Sequence, residues 1–299
     1  MKYRKIGKTN LNASVIGIGT DQFSGDWGVK FSKNEVKRIL DRANQLGINF
    51  LDTAECYGDH LSESLIGNAI KENRDEWIIA TKFGHNYFGK NNQNVDFSPK
   101  GVEVQLEKSL KALKTDHIDI YQFHSGTNDQ FDQMDLWDLL KKQVKAGKIK
   151  HLGLSIVNSA VLEDDLHQLQ NIQDKDVQTI QVVYNRLNHK ASEKIIPYCV
   201  KHNIGIIGRV PLAKGHLTGK YKPDKVFPKE DKRYLEDKVQ TARQLEIVQK
   251  IKVNEVPDKV NMTQWALAWC LKNPLISTII PGCKNLEQLE INAKSVELI

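Results

Sequence analysis

Short runs of Ile and Val, each closed by Gly, Pro, Asn or Asp, alternate along the chain with stretches where apolar residues return every three or four positions. The runs fall at residues 15–19, 48–51, 77–80, 118–121, 151–154, 180–183, 204–207 and 278–280. Brevity, turn residues at both ends and unbroken apolar character mark strands that are covered on both faces. The stretches between them predict helices. Ser32 and Glu35 read as a capping box ahead of Val36, Ile39, Leu40 and Ala43, with Gly47 placed to stop the helix. Ser98-Pro99 offers an N-cap and an N1 proline before Val102, Leu106, Leu110 and Leu113, and Gly147 ends a third pattern through Leu136, Leu139, Leu140 and Val144.

Strand-to-strand spacing runs from 24 residues (180 to 204) to 41 (77 to 118), then jumps to 74 between the last two strands (204 to 278). Each shorter interval suits one strand and one returning helix. The long one predicts an insertion after the seventh strand, a Lys-, Pro- and Gly-rich stretch over 217–234 followed by an extra helix over 238–251. Eight such units in a 299-residue chain predict an α/β fold, a (β/α)8 TIM barrel, as one domain over 1–299. A doubly wound open sheet is the alternative, but it calls for a Gly-rich turn entering a helix, and Gly17-Ile18-Gly19 has no third glycine. Residues 1–14 read as a β-hairpin, turning at Gly7-Lys8-Thr9-Asn10, that lids the N-terminal end of the barrel.

Composition alters this picture little. Hydrophobic residues are 40% and charged residues 27%, the mixture of a globular chain, and no run of apolar residues is long enough for a membrane span or a signal peptide. The four cysteines are scattered without C-x-x-C, which predicts free thiols and a cytoplasmic protein. The net charge of +6 is spread among alternating Lys and Glu rather than gathered in a block, so no nucleic-acid partner is expected. Nothing in the pattern sets an oligomeric state.

In such a barrel, chemistry sits where the strands end. The second strand runs into Asp52-Thr53-Ala54-Glu55-Cys56-Tyr57-Gly58, the third into Lys82 and the fourth into His124, so an acid, a phenol, an ammonium and an imidazole converge on one mouth. A tyrosine with pKa near 10 needs a nearby cation to exchange a proton near neutral pH. Lys82 can supply that charge, Asp52 can hold Lys82 in an apolar barrel, and His124 can hydrogen-bond a substrate oxygen. That set suits reduction of a small-molecule carbonyl compound.

With these motifs and with Gly147-Lys148-Ile149-Lys150-His151-Leu152-Gly153-Leu154-Ser155, Pro211-Leu212-Ala213-Lys214-Gly215 and Ile280-Pro281-Gly282-Cys283-Lys284 in order, nearly the whole chain resembles the aldo-keto reductases. The resemblance implies Asp52, Tyr57, Lys82 and His124 as the catalytic tetrad. It also implies an extended NADPH across the mouth, bound without a Gly-rich fingerprint. By the same resemblance Gly19, Thr20 and Asp21 lie on the nicotinamide ribose side, and Ser155 and Gln181 meet the carboxamide. Arg209 stands where many members have a stacking Tyr. Pro211, Leu212, Lys214, Gly215 and Lys220 belong to the segment crossing the pyrophosphate. Gly282, Lys284, Gln288 and Asn292 form the adenosine end, with Lys284 on the 2′-phosphate. Ile156 follows Ser155 where an Asn is frequent, and Ile291 replaces a frequent Glu.

Two other classes are weighed. A metal-dependent hydrolase has His60, His85, His117, His124 and His151 to draw on. No H-x-H stands at a strand end, however, and no two of these histidines sit with carboxylates in an evident ligand set, so no metal is expected. A nucleotide-binding redox sensor, of the kind found among channel-associated members, is distinguished from an enzyme by whether a single turnover occurs. The pocket is expected to be walled by Phe23, Trp27, Tyr87 and Phe88.

Overall fold

The computed structural model describes residues 1–87, 93–156 and 163–299. Strands β1 (Tyr3–Lys5) and β2 (Asn12–Ser14) pair antiparallel, with Tyr3 opposite Ser14. There follow β3 (Ile18–Gly19), β4 (Phe50–Asp52) and β5 (Ile78–Phe83). A side hairpin of β6 (His85–Tyr87) and β7 (Gln93–Val95) comes next, then β8 (Ile118–His124), β9 (Ile149–Ser155), β10 (Val177–Val183), β11 (Gly205–Arg209) and β12 (Thr278–Ile279). Leaving out the two hairpins, the eight strands form one parallel sheet in chain order. Parallel bridges from Ile16 to Ile279 and from Gly19 to Gly282 close it on itself. The closed sheet disposes of the doubly wound alternative. All eight strands fall where the apolar runs put them.

Around the barrel lie α1 (Lys33–Gln45), α2 (Leu61–Ile70), α3 (Pro99–Leu113), α4 (Asn128–Phe131), α5 (Met134–Lys145), α6 (Glu163–Gln170), α7 (Ile195–Lys201), α8 (Lys238–Asn254), α9 (Met262–Leu271) and α10 (Leu286–Lys294). The Ser32–Glu35 capping box forms in full, and α1 buries Val36, Ile39, Leu40 and Ala43. Ser98 accepts from the Gly101 N–H ahead of α3, with Pro99 at the first position. The helix expected over 238–251 is α8, three residues longer.

Strand periodicity splits the barrel interior into two layers. Side chains two apart point the same way, so Phe50, Ile78, Ala80, Ile120 and Ile207 stack low in the barrel, where they meet Ile6, Ala13 and Leu11 from the N-terminal hairpin. Two residues further on, the same columns carry Asp52, Lys82, Gln122 and Arg209. The hairpin therefore covers the apolar end, and the polar layer lies beneath the opposite mouth. Gly7 makes the hairpin turn possible, because its φ is +49° and a Cβ there would come within 2.2 Å of the Gly205 nitrogen.

The segment after β11 lies against the loop after β3. Trp27 bridges to Asp231, and the Lys232 N–H donates to the Asp26 carbonyl at 2.9 Å. Arg233, nearly fully buried, grips Asp231 through Nε at 2.9 Å and Nη2 at 2.5 Å, donates to the Lys214 carbonyl, and lies 4.1 Å from the centre of the Phe227 ring.

Candidate active site

Asp52 ends β4, and Lys82 lies on β5, whose register with β4 sets Asp52 beside Ala80. Lys82 is 1% exposed, so its ammonium needs partners at close range. It donates to Asp52 Oδ1 at 2.7 Å, to the Thr53 carbonyl at 2.6 Å and to the Tyr57 hydroxyl at 3.3 Å. The other Asp52 oxygen accepts from the Gln181 amide at 2.6 Å and from the Gln122 amide at 3.3 Å. Each heteroatom of the buried pair is thereby satisfied, which fixes both side chains.

Tyr57 sits in a tight turn. Its N–H donates to the Ala54 carbonyl at 3.1 Å, and Gly58, Asp59 and His60 all take positive φ, which carries the chain sharply into α2. The phenol is half-buried, with the Lys82 nitrogen 4.9 Å from its ring centre. Burial pushes its pKa well above 10, and the charges of Asp21 and Asp52 push it the same way, with only Arg209 opposing. Lys82, paired with Asp52 and 3.3 Å from the phenol oxygen, is the cation that faces the hydroxyl. His124 ends β8 with its imidazole pKa held well below 6.5, first by burial and then by Lys82, His85 and Arg209. The ring is neutral at pH 7 and can donate one hydrogen bond. The four residues named from the strand ends meet at one mouth, two of them joined directly through Lys82.

The residues expected at a nucleotide line the same end, and several are engaged within the chain. Gly19 and Gly282 bridge β3 to the loop after β12. The Thr20 hydroxyl donates to the Asp52 carbonyl at 2.9 Å, which commits it to holding β4. Asp21 pairs with Lys232. Ser155 is buried at the end of β9. Gln181 spends its amide nitrogen on Asp52 and Gln122. The Arg209 guanidinium donates to the Ile156 carbonyl at 2.9 Å. Pro211 is buried, Leu212 half-buried and Lys220 exposed. Lys214 and Gly215 both take positive φ, and Lys214 pairs with Glu236 at 2.6 Å. Lys284 donates to the Trp27 carbonyl at 2.5 Å and lies 3.9 Å from Asp231, so it ties the β12 loop to the segment across the mouth. Gln288 accepts from the Lys284 N–H, and Asn292 is buried, donating to the Gly282 carbonyl at 3.3 Å.

The aromatic wall is only partly as expected. Phe23 packs in the core, edge-on to Phe31 at 5.0 Å, and Trp27 lies 4.4 Å under the Lys232 ammonium. The side chains of Tyr87 and Phe88 lie outside the described residues. Gln122 and Glu55 went unassigned in the sequence. Gln122 was signalled by its place two residues after Ile120 on an inward column, and Glu55 by an acid standing among buried positions.

No helix among the described residues is long and apolar enough to cross a membrane. Over 301 aligned residues the chain is 30% identical to Uncharacterized oxidoreductase YqkF of Bacillus subtilis, covering 99% of this chain and 91% of that protein. It is 31% identical to Aldo-keto reductase yakc [NADP(+)] of Schizosaccharomyces pombe, covering 97% and 85%. Among solved structures it superposes on the holo form of aldo-keto reductase AKR11C1 from Bacillus halodurans with TM-score 0.81 at 26% identity, covering 99% of this chain and 91% of that one. The glycerol dehydrogenase AKR11B4 from Gluconobacter oxydans gives TM-score 0.82 at 25% identity, covering 98% and 90%. The match to the family's shared sequence pattern runs over residues 15–298, and this chain is an oxidoreductase belonging to the aldo/keto reductase family.

Proposed function

We propose that the protein is an NADPH-dependent carbonyl reductase of the cytoplasm that takes aldehydes or ketones to alcohols, with Tyr57 as proton donor. The observation that carries this reading is the chain of contacts from Asp52 through Lys82 to the Tyr57 hydroxyl, at 2.7 and 3.3 Å, beside a neutral His124. Names of relatives agree with it: one carries NADP(+), and another is a glycerol dehydrogenase. The four free cysteines suit a reducing compartment.

The residues present fit a dinucleotide phosphate. Lys214, Lys220, Lys232 and Lys284 gather cationic charge on the loops at the mouth, and the positive φ of Lys214 and Gly215 shapes the segment that would hold a pyrophosphate. Gln22 Oε1, beside Gly282, is buried without a hydrogen-bond partner and is open to a donor. NADPH supplies the hydride when bound. Tyr57 holds its proton at the phenol oxygen, available to a carbonyl oxygen that gains charge. Lys82 steadies that oxygen as the proton leaves, and Asp52 fixes Lys82. His124 donates a hydrogen bond that orients the carbonyl without giving up its proton.

Mixing the enzyme with NADPH and an activated aromatic aldehyde in a single turnover should consume the reduced nicotinamide absorbance. No decay above the protein-free rate overturns the reading and favours a nucleotide sensor.

Lys284 offers a test of cofactor choice. A charged hydrogen bond to the 2′-phosphate contributes roughly 1.5–3 kcal/mol, or about 10- to 150-fold in affinity. Because Lys284 already serves the Trp27 carbonyl and Asp231, Lys284→Met is expected near the lower end, weakening NADPH about 10-fold while NADH changes little. The difference should shrink at high salt. Fluorescence titration of both nucleotides checks it, and equal losses would remove Lys284 from the phosphate site.

A further inference from the structure

Beside Tyr57, three groups of different chemistry converge that the proposed reaction does not use together. Cys56 Sγ and His124 Nδ1 lie 3.9 Å apart, and a carboxylate oxygen of Glu55 lies within 4.8 Å of both. Glu55 is 2% exposed. Its Oε1 accepts from the His85 N–H at 2.8 Å, but Oε2 has no hydrogen-bond partner. A buried carboxyl oxygen left without a donor is costly, so the position asks for a ligand or a proton.

Ligand atoms around a tetrahedral zinc, with metal–sulfur bonds of about 2.3 Å and metal–nitrogen bonds of about 2.0 Å, stand roughly 3.3–3.6 Å apart. The Cys56–His124 pair needs to close by only about 0.4 Å, and the Glu55 carboxylate by about 1 Å, which small side-chain rotations supply. Asp21 and Glu63 bring negative charge to the region, and Lys82, which is paired with Asp52, and Arg209 bring positive charge. The mixture of thiolate, imidazole and carboxylate selects soft or borderline divalent ions over magnesium or calcium.

We infer that Glu55, Cys56 and His124 form a binding site for a thiophilic divalent cation of the zinc and cadmium class. The Cys56 S–H bond breaks and a sulfur–metal bond forms, with the thiol proton released to solvent. The Glu55 carboxyl gives up any proton it carries in the same way. His124 enters as the neutral imidazole through its Nδ1 lone pair. Occupation puts a dication on the imidazole proposed to orient the carbonyl, so zinc should also inhibit carbonyl reduction. That consequence rests on the proposed function, whereas binding itself does not.

The experiment is therefore a titration of the reduced full-length protein with cadmium, without nucleotide or substrate, following the thiolate-to-cadmium charge-transfer absorbance. One equivalent should bind the wild type and Cys199→Ala alike. Cys56→Ala and Cys56→Ser should lose the band, and Glu55→Gln should bind about 10-fold more weakly or worse. Circular dichroism of each variant confirms that it is folded. A band of undiminished size in folded Cys56→Ser, or unchanged affinity in Glu55→Gln, overturns the site whether or not the protein reduces aldehydes.

Discussion

Tyr57→Phe should lower kcat/KM for aldehyde reduction by about a hundred- to ten-thousand-fold, the usual contribution of a positioned general acid, while NADPH affinity changes little. The substitution keeps the ring that lies over the Lys82 nitrogen and deletes only the hydroxyl 3.3 Å from it. The pH profile gives a second reading. Burial and the two neighbouring aspartates hold the phenol well above 10, so the acid form persists through neutral and mildly alkaline solution. Reduction by the wild type should accordingly stay flat up to about pH 9, and alcohol oxidation, which needs the phenolate, should climb with pH over the same range. Near-normal turnover in the phenylalanine variant would remove Tyr57 from the mechanism.

How much of this was legible in the sequence follows from what each feature depends on. The eight strands were legible because they are largely buried on both faces and read as short, mostly apolar runs, as in Ile118-Asp119-Ile120-Tyr121, where Asp119 is held by Arg74 at 2.7 Å and Lys150 at 2.9 Å. The β6–β7 hairpin was not, because Gln93-Asn94-Val95 carries no apolar alternation and ends on an exposed valine. Asp52, Tyr57, Lys82 and His124 could be named because strand ends in a barrel share one mouth. Their electrostatics could not, because the upward shift of Tyr57 comes first from burial of the phenol and then from the charges of Asp21 and Asp52, which only the folded mouth brings near it. The resemblance named Lys284 and Asn292 for the adenosine end but gave no sign that Lys284 is shared with the Trp27 carbonyl. Such contacts join residues hundreds of positions apart and leave no local pattern.

Three loops around the mouth meet at one side chain. Asp231 meets Trp27, Lys284 and Arg233 together, so the loop after β3, the segment after β11 and the loop after β12 share a single acid. That acid is buried and held below the usual carboxylate range by its hydrogen bonds to Arg233 and by nearby positive charge, with burial alone opposing.

Lys82→Met is expected to reduce both stability and activity, and the two losses can be separated. Removing the ammonium leaves Asp52, 2% exposed, as an uncompensated buried charge facing only the amides of Gln181 and Gln122. Breaking a buried pair from one side costs about 3–5 kcal/mol, equivalent to roughly 5–8 °C in melting temperature for a chain of this length. The bare carboxylate also stands closer electrically to Tyr57, where Asp52 already raises the phenol. The alkaline rise of alcohol oxidation should therefore move to still higher pH in Lys82→Met. Neutralising the partner as well, in Lys82→Met with Asp52→Asn, removes the buried charge and leaves an amide oxygen for Gln181 to donate to. Most of the melting temperature should return, and the pH rise should move back down, while turnover stays low because no cation remains beside the phenol oxygen. Thermal unfolding and pH–rate profiles of the wild type, both single variants and the double variant close the cycle. Recovery of turnover together with stability in the double variant would assign Lys82 to holding the barrel alone, and an unmoved pH profile in Lys82→Met would break its link to Tyr57.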